Sequence, residues 1–234
     1  MHFERREIMD IRLNYIEKGE GEPLILLHGN GEDLSYFSNQ TEYFSQKYRV
    51  IALDTRGHGA SPRGKCSFTI RRFAQDLHDF MDEHGIEKAH ILGFSDGANT
   101  ALRFALKYPH RVDKLVLSGA NLFPAGVKSS VQIPIEIGYR FASLFAGKSE
   151  KAKKNAEMLG LMVNDPNISP EELRSLNTPT LVIAGTNDMI KDEHTRLIHK
   201  NLPNSELAII AGDHFIASKN PEAFNRRVAA FLEK

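Results

Sequence analysis

A single cysteine, Cys66, occurs in the 234 residues, so no disulfide can form within the chain, and it has no neighbour spaced for zinc. Cys66 is read as a structural or incidental thiol. Charge of one sign is equally lacking. Lys+Arg and Asp+Glu each number 30, a balance without the electrostatic footprint expected for nucleic acid or anionic lipid, and neither partner is expected. No apolar run approaches the roughly 18 residues of a membrane span, and the Met1 to Glu7 start has no apolar core of a signal segment, so a cytoplasmic location is expected. Several cofactor signatures are missing. Gly29 and Gly31 begin a G-x-G-x-x-G pattern, but Leu34 stands at its third position. A G-x-x-x-x-G-K-[ST] phosphate loop and an H-E-x-x-H helix do not occur, and ten histidines without ligand spacing do not make a metal site. Neither a cofactor nor a metal is expected.

What is present is an ordinary globular balance, with 41% hydrophobic and 26% charged residues. A length of 234 fits one α/β domain, residues 1–234. Residues Phe3 to Glu17 read as an N-terminal hairpin. Short apolar runs then recur at Leu24–Leu27, Val50–Leu53, His90–Gly93, Leu115–Ser118, Leu181–Ala184 and Leu207–Ala211. Apolar on successive residues rather than alternating, they fit strands buried on both faces.

Between the strands, Ile70, Phe73, Leu77 and Phe80 share one helical face behind the N-cap candidate Thr69, which predicts a helix over Ile70–His84. Asn220 and Pro221 are placed as cap and first-turn proline of a last helix whose inner stripe is Phe224, Val228, Phe231 and Leu232. Ser169, Pro170 and Glu172 form a capping-box start. Strand–helix alternation with right-handed crossovers predicts an α/β fold, a mostly parallel central sheet with helices on both faces and a site at the C-terminal strand ends. The segment 121–167 breaks the alternation with the helical pattern Ile137, Phe141, Leu144, Phe145 and a Lys-rich stretch, and is read as a short helical lid.

Gly93-Phe94-Ser95-Asp96-Gly97 stands between a buried strand and a helix, the setting of a G-x-S-x-G nucleophile elbow, where the glycines permit a sharp turn and close packing. A serine hydroxyl needs a base to take its proton and a third group to hold that base. On this fold the order is serine, acid, histidine. Asp188, after the run Leu181–Ala184, and His214, after Leu207–Ala211, satisfy it. His28 and His58 precede Ser95 and suit loop-shaping hydrogen bonds better, while Asp192 and Asp213 are the rival acids. An oxyanion needs two backbone N–H donors. These are assigned to Asp96 and Asn30, with Gly31 as the alternative to Asn30. Phe123, Phe141, Leu144, Phe145, Met158 and Met162 are candidates for an apolar substrate pocket beneath the lid.

These motifs, with His28-Gly29, Asp54-Thr55-Arg56-Gly57-His58-Gly59-Ala60-Ser61, Pro179 through Gly185 and Gly212-Asp213-His214-Phe215, resemble the α/β-hydrolase superfamily. The similarity is to its branch of small esterases, enol-lactonases, carbon–carbon bond hydrolases and cofactor-free haloperoxidases. It spans nearly the whole chain. The resemblance implies a serine hydrolase acting on a carboxylic ester or lactone of a small molecule through an acyl-enzyme. Carbon–carbon hydrolysis and haloperoxidase or perhydrolase chemistry on the same triad are alternatives, and a ligand receptor that keeps the triad is a third. Related dehalogenases and epoxide hydrolases use an aspartate nucleophile, and the elbow here holds Ser95. Two positions depart from the pattern of many relatives: Asn30-Gly31 stands where many place an aromatic residue and a proline, and Asp96 where many have an uncharged residue such as Met, Leu or Gln.

Overall fold

The computed structural model describes residues 10–234. Its strands are β1 (Tyr15–Lys18), β2 (Pro23–Leu27), β3 (Arg49–Leu53), β4 (Ala89–Phe94), β5 (Val112–Ser118), β6 (Thr180–Asn187) and β7 (Ser205–Asp213). They form one sheet in the order β1-β3-β2-β4-β5-β6-β7. All neighbours are parallel except β1 and β3, where Tyr15 lies opposite Leu53 and Lys18 opposite Val50. The first arm of the expected hairpin lies outside the described residues. Its second arm, β1, pairs with β3.

Helices α1 (Ser38–Phe44), α2 (Ile70–Glu83) and α3 (Asp96–Lys107) follow β2, β3 and β4, and α7 (Asp192–Asn201), α8 (Ile216–Lys219) and α9 (Pro221–Leu232) close the chain. The continuous apolar runs have the cause anticipated from the sequence. Ile25, Leu27, Ile51, Leu53, Ile91 and Leu117 pack with Leu77 and Phe80 of α2 and Leu102 of α3, whereas Leu24, Leu26, Val50, Leu92 and Ile183 pack with Phe44 of α1 and Phe224 and Val228 of α9. Strands β2 to β6 thus lose water on both faces, but β7 departs from that expectation: at the sheet edge it keeps only Ala208 buried and leaves Ile209 39% exposed, and β1 at the other edge is exposed throughout. Leu24 to Leu27 are at most 1% exposed, and each such burial contributes about 1.5–3 kcal/mol.

Helix ends follow their local chemistry. Thr69 caps α2 by accepting from the Arg72 amide at 3.2 Å. Ser169 and Glu172 form the expected capping box of α6 (Pro170–Leu173). Asn220 and Pro221 do open α9, but the Asn220 side chain leaves the helix uncapped and donates instead to Ala211 O at 3.2 Å, tying α9 back to β7.

Between β5 and β6 the chain leaves the sheet as α4 (Ser129–Phe145) and α5 (Glu150–Asn164). These helices pack on each other and bury little. Ile133, Ile137, Phe141, Leu144 and Phe145 are half or more exposed, whereas in α4 Gln132 alone is buried and in α5 Leu161 alone. The stripe expected to face inward therefore faces outward. No helix among the described residues is long and apolar enough to cross a membrane.

Candidate active site

Ser95 links β4 to α3 with φ 53° and ψ −120°, the one positive-φ residue other than glycine among those described. Such a conformation costs on the order of 1–3 kcal/mol and persists because the surroundings enforce it. A Cβ on Gly93 would lie 2.3 Å from Gly97 O, and one on Gly97 would lie 2.0 Å from Leu27 O, so strand and helix close around the serine only because both flanks are glycine. The Ser95 amide donates to Ser118 O at 2.8 Å. Asp96 begins α3, and its amide belongs to the first turn, which has no intrahelical acceptor.

The sheet carries the other two candidates to the same end. His214 follows β7, and its Nδ1 lies 2.6 Å from Asp188 Oδ1, with both side chains buried. The second carboxylate oxygen accepts from the Gly185 amide at 3.2 Å, and Oδ1 also accepts from Ile190 at 2.9 Å. Burial works to raise the Asp188 carboxyl, but the bond and charge of His214 and these two amides hold it below its ordinary value. An ionised Asp188 assigns the proton to Nδ1 and leaves Nε2 an acceptor. Nε2 is buried and has no hydrogen-bond partner among the described residues. The ring rests beside Phe94, centroids 4.8 Å apart, and against Gly119, so it lies next to the residues flanking Ser95 in chain and in space.

The rivals are engaged elsewhere. Asp192 pairs with Arg196 at 2.8 Å on the surface, and Asp213 pairs with Lys219 and accepts from the Phe215 amide at 2.9 Å. His28 accepts from the Thr55 amide at 3.0 Å, and His58 lies 3.0 Å from Arg56 O, both in the buried loops after β2 and β3. Burial pushes His58 down to about 4.

In the loop after β2, the Asn30 side chain donates to Met158 O of α5 at 2.7 Å, tying that loop to the helical excursion. Arg63 makes a second tie through two bonds to Glu157, at 2.7 and 2.8 Å. Asp96 is buried. One oxygen accepts from Asn99 Nδ2 at 3.1 Å and the other has no partner among the described residues. Burial, with the charge of Asp165, pushes its carboxyl up to about 6 against the pull of Asn99 and His214. Asn99 also donates to Asn121 Oδ1 at 2.9 Å, joining α3 to the exit of β5.

The six pocket candidates are not gathered around Ser95. Phe141, Phe145 and Met158 line a cleft of about 560 Å³ between α4 and α5. Leu144 points to solvent, Phe123 packs edge-on against His194 at 4.6 Å, and Met162 offers its carbonyl to Gln132 at 3.2 Å. Periodicity identified a stripe without identifying what it faces. Sequence reasoning also missed Glu32, Asn99, Gly119 and Asn121. Only Asn99 carried a local signal, its i,i+3 spacing from Asp96 on a helix.

Comparison with known proteins adds a lineage. A family model described as alpha/beta hydrolase fold matches residues 22–147. A 2-hydroxy-6-oxononadienedioate/2-hydroxy-6-oxononatrienedioate hydrolase of Burkholderia vietnamiensis is 30% identical, covering 96% of this chain and 92% of its own. The human serine hydrolase BPHL is 29% identical over 95% of this chain and 84% of its own. The enol-lactonase of Burkholderia xenovorans LB400 superimposes with a TM-score of 0.81 at 22% identity, over 96% of this chain and 97% of its own, a likeness of fold.

Proposed function

The chain belongs to the α/β-hydrolase fold family, and from that premise we propose that it is a serine hydrolase cleaving a carboxylic ester or lactone of a small molecule. The observation that supports this reading is the buried Nε2 of His214, unpartnered among the described residues and left an acceptor by the hydrogen bond from Nδ1 to Asp188, on a ring that packs against Phe94, the chain neighbour of Ser95.

Ser95 Oγ attacks the substrate carbonyl carbon as His214 Nε2 takes the hydroxyl proton. Asp188 stabilises the imidazolium that forms and keeps the ring oriented. Charge developing on the carbonyl oxygen is met by the backbone amides of Asn30 and Asp96, donors fixed before the reaction and therefore free of reorganisation cost. Collapse expels the alcohol, which takes its proton from His214. Water, activated by the same histidine, then attacks the acyl group and restores Ser95. The helices α4 and α5 act as a lid over the loops after β2 and β3, held there through Asn30 and Arg63.

The similarity to the 2-hydroxy-6-oxononadienedioate hydrolase favours a second reading, carbon–carbon bond hydrolysis on the same three residues. A panel of neutral aryl esters, lactones and vinylogous diketone acids separates the two. The ester reading expects turnover of esters or lactones, lost in Ser95→Ala. Turnover confined to the diketone acids would transfer the assignment to carbon–carbon cleavage, and tight binding without turnover of any member would contradict the enzyme reading.

A further inference from the structure

The loop after β2 carries a carboxylate that this mechanism leaves unused. Glu32 is half-buried, and its Oε2 accepts from the Gly29 amide at 3.1 Å while its own amide donates to Gly29 O at 3.3 Å. The residue therefore closes the Gly29–Glu32 turn twice, by backbone and by side chain. His28 reaches the same oxygen, with Nδ1 2.7 Å from Gly29 O. Because the Thr55 amide donates to His28 Nε2 at 3.0 Å, Nδ1 is the protonated nitrogen and donates to Gly29 O.

The geometry has a consequence for Asn30. Gly29 C=O and Asn30 N–H belong to one planar trans peptide and point in opposite directions. With the oxygen fixed by His28 and by the Glu32 amide, the Asn30 N–H must face the other way, and among the described residues no acceptor engages it. Glu32 secures the preceding peptide through the Gly29 amide. A Cβ on Gly29 would lie 3.0 Å from the Phe94 ring and 3.1 Å from Glu32 Oε2, so the peptide is clamped between the elbow strand and the carboxylate.

We propose that Glu32 is a positioning residue of the oxyanion-binding loop, its carboxylate gripping the Gly29 amide so that the Asn30 amide stays aimed at the transition-state oxygen. The inference rests on Asn30 being an oxyanion donor in the serine-hydrolase reading above. The fold maintains this carboxylate at a cost. Burial pushes it up to about 7, against the pull of the Gly29 amide and of His214 across the cleft, and Asp33 beside it pushes in the same direction as burial. Perturbed groups of this kind concentrate at functional sites.

An acceptor that positions a donor has a distinctive kinetic signature. Oxyanion contacts act on the transition state, so loss of loop positioning should lower kcat and leave KM nearly unchanged. The test measures kcat and KM of the full chain for an aryl ester in the wild type, Glu32→Ala, Glu32→Gln and Ser95→Ala, with thermal melts of each. Glu32→Ala is expected to lose about 10- to 100-fold in kcat with KM within about twofold, and Glu32→Gln to retain kcat within about threefold because its amide oxygen accepts the same bond. Equal losses in Gln and Ala would overturn the proposal by assigning a proton-transfer or charge role. So would an unaffected Glu32→Ala or a change confined to KM. Should Glu32→Ala fail to melt cooperatively, hydrogen exchange of the wild type decides: the Gly29 amide should exchange at least about tenfold more slowly than the Asn30 amide, and the reverse order overturns the proposal. Turnover surviving Ser95→Ala would remove the underlying reading and this inference together. An inactive Ser95→Ala without the Glu32 pattern would remove this inference alone.

Discussion

His214 Nδ1 meets Asp188 Oδ1 at 2.6 Å with the two side chains only 5% and 4% exposed, so the pair is joined where water competes little. Asp188→Asn should lower kcat by about 10³- to 10⁴-fold by favouring the wrong imidazole tautomer, with the fold intact by circular dichroism. Asp192→Asn and Asp213→Asn, whose carboxylates are engaged with Arg196 and Lys219, should stay within about twofold of wild type. A nearly normal rate in Asp188→Asn would move the acid elsewhere.

Gly119 combines a φ of +62° with a position where a Cβ would lie 2.6 Å from His214 Cε1. Gly119→Ala should displace the imidazole, lowering kcat by at least about tenfold, while destabilising the fold by about 1–3 kcal/mol. Steady-state kinetics and a denaturant melt on the same preparation check both. Unchanged kinetics would mean that the ring position tolerates displacement.

Asp96 follows the nucleophile in the chain, carries a buried carboxylate oxygen without a partner among the described residues, and has its carboxyl pushed up to about 6, so it is ionised at pH 8. Anionic esters should therefore be disfavoured against neutral isosteres at pH 8, by about tenfold, and less so at pH 5. Asp96→Asn, nearly isosteric and keeping the backbone donor, should remove the discrimination and its pH dependence. Equal effects on both substrates would confine Asp96 to a structural part.

The same group predicts a stability profile. A carboxyl whose folded value of about 6 exceeds its ordinary 3.8 binds protons more readily in the folded state, so stability falls as pH rises from about 4 through 6. Asp96→Asn should stabilise the protein at pH 8 by about 1–3 kcal/mol and have little effect at pH 4, by urea titration. A stabilisation equal at both pH values would place the burial penalty in another group.

The sheet was legible because its signal is local. Residues such as Leu24–Leu27 lose water on both faces, and this leaves continuous apolar runs whose positions match the strands to within a few residues. The elbow and the order Ser95, Asp188, His214 were legible for a related reason, since the fold fixes which strand ends meet. Legibility failed where a contact crosses the fold. Nothing near Asn30 in the chain announces Met158, 128 positions away, and nothing in the α4 stripe distinguishes a face turned to a core from one turned to solvent. Asn220 is the instructive middle case: its position at the helix start was readable, but its side chain is taken by Ala211 of the neighbouring strand.

The central claim, covalent catalysis at Ser95, is tested most directly by intact-protein mass spectrometry after exposure to a fluorophosphonate probe, with peptide mapping of the adduct. The account predicts one stoichiometric adduct on Ser95, absent in Ser95→Ala and formed much more slowly in His214→Ala. Labelling that persists in Ser95→Ala, or a wild type that turns over esters yet resists the probe, would contradict it.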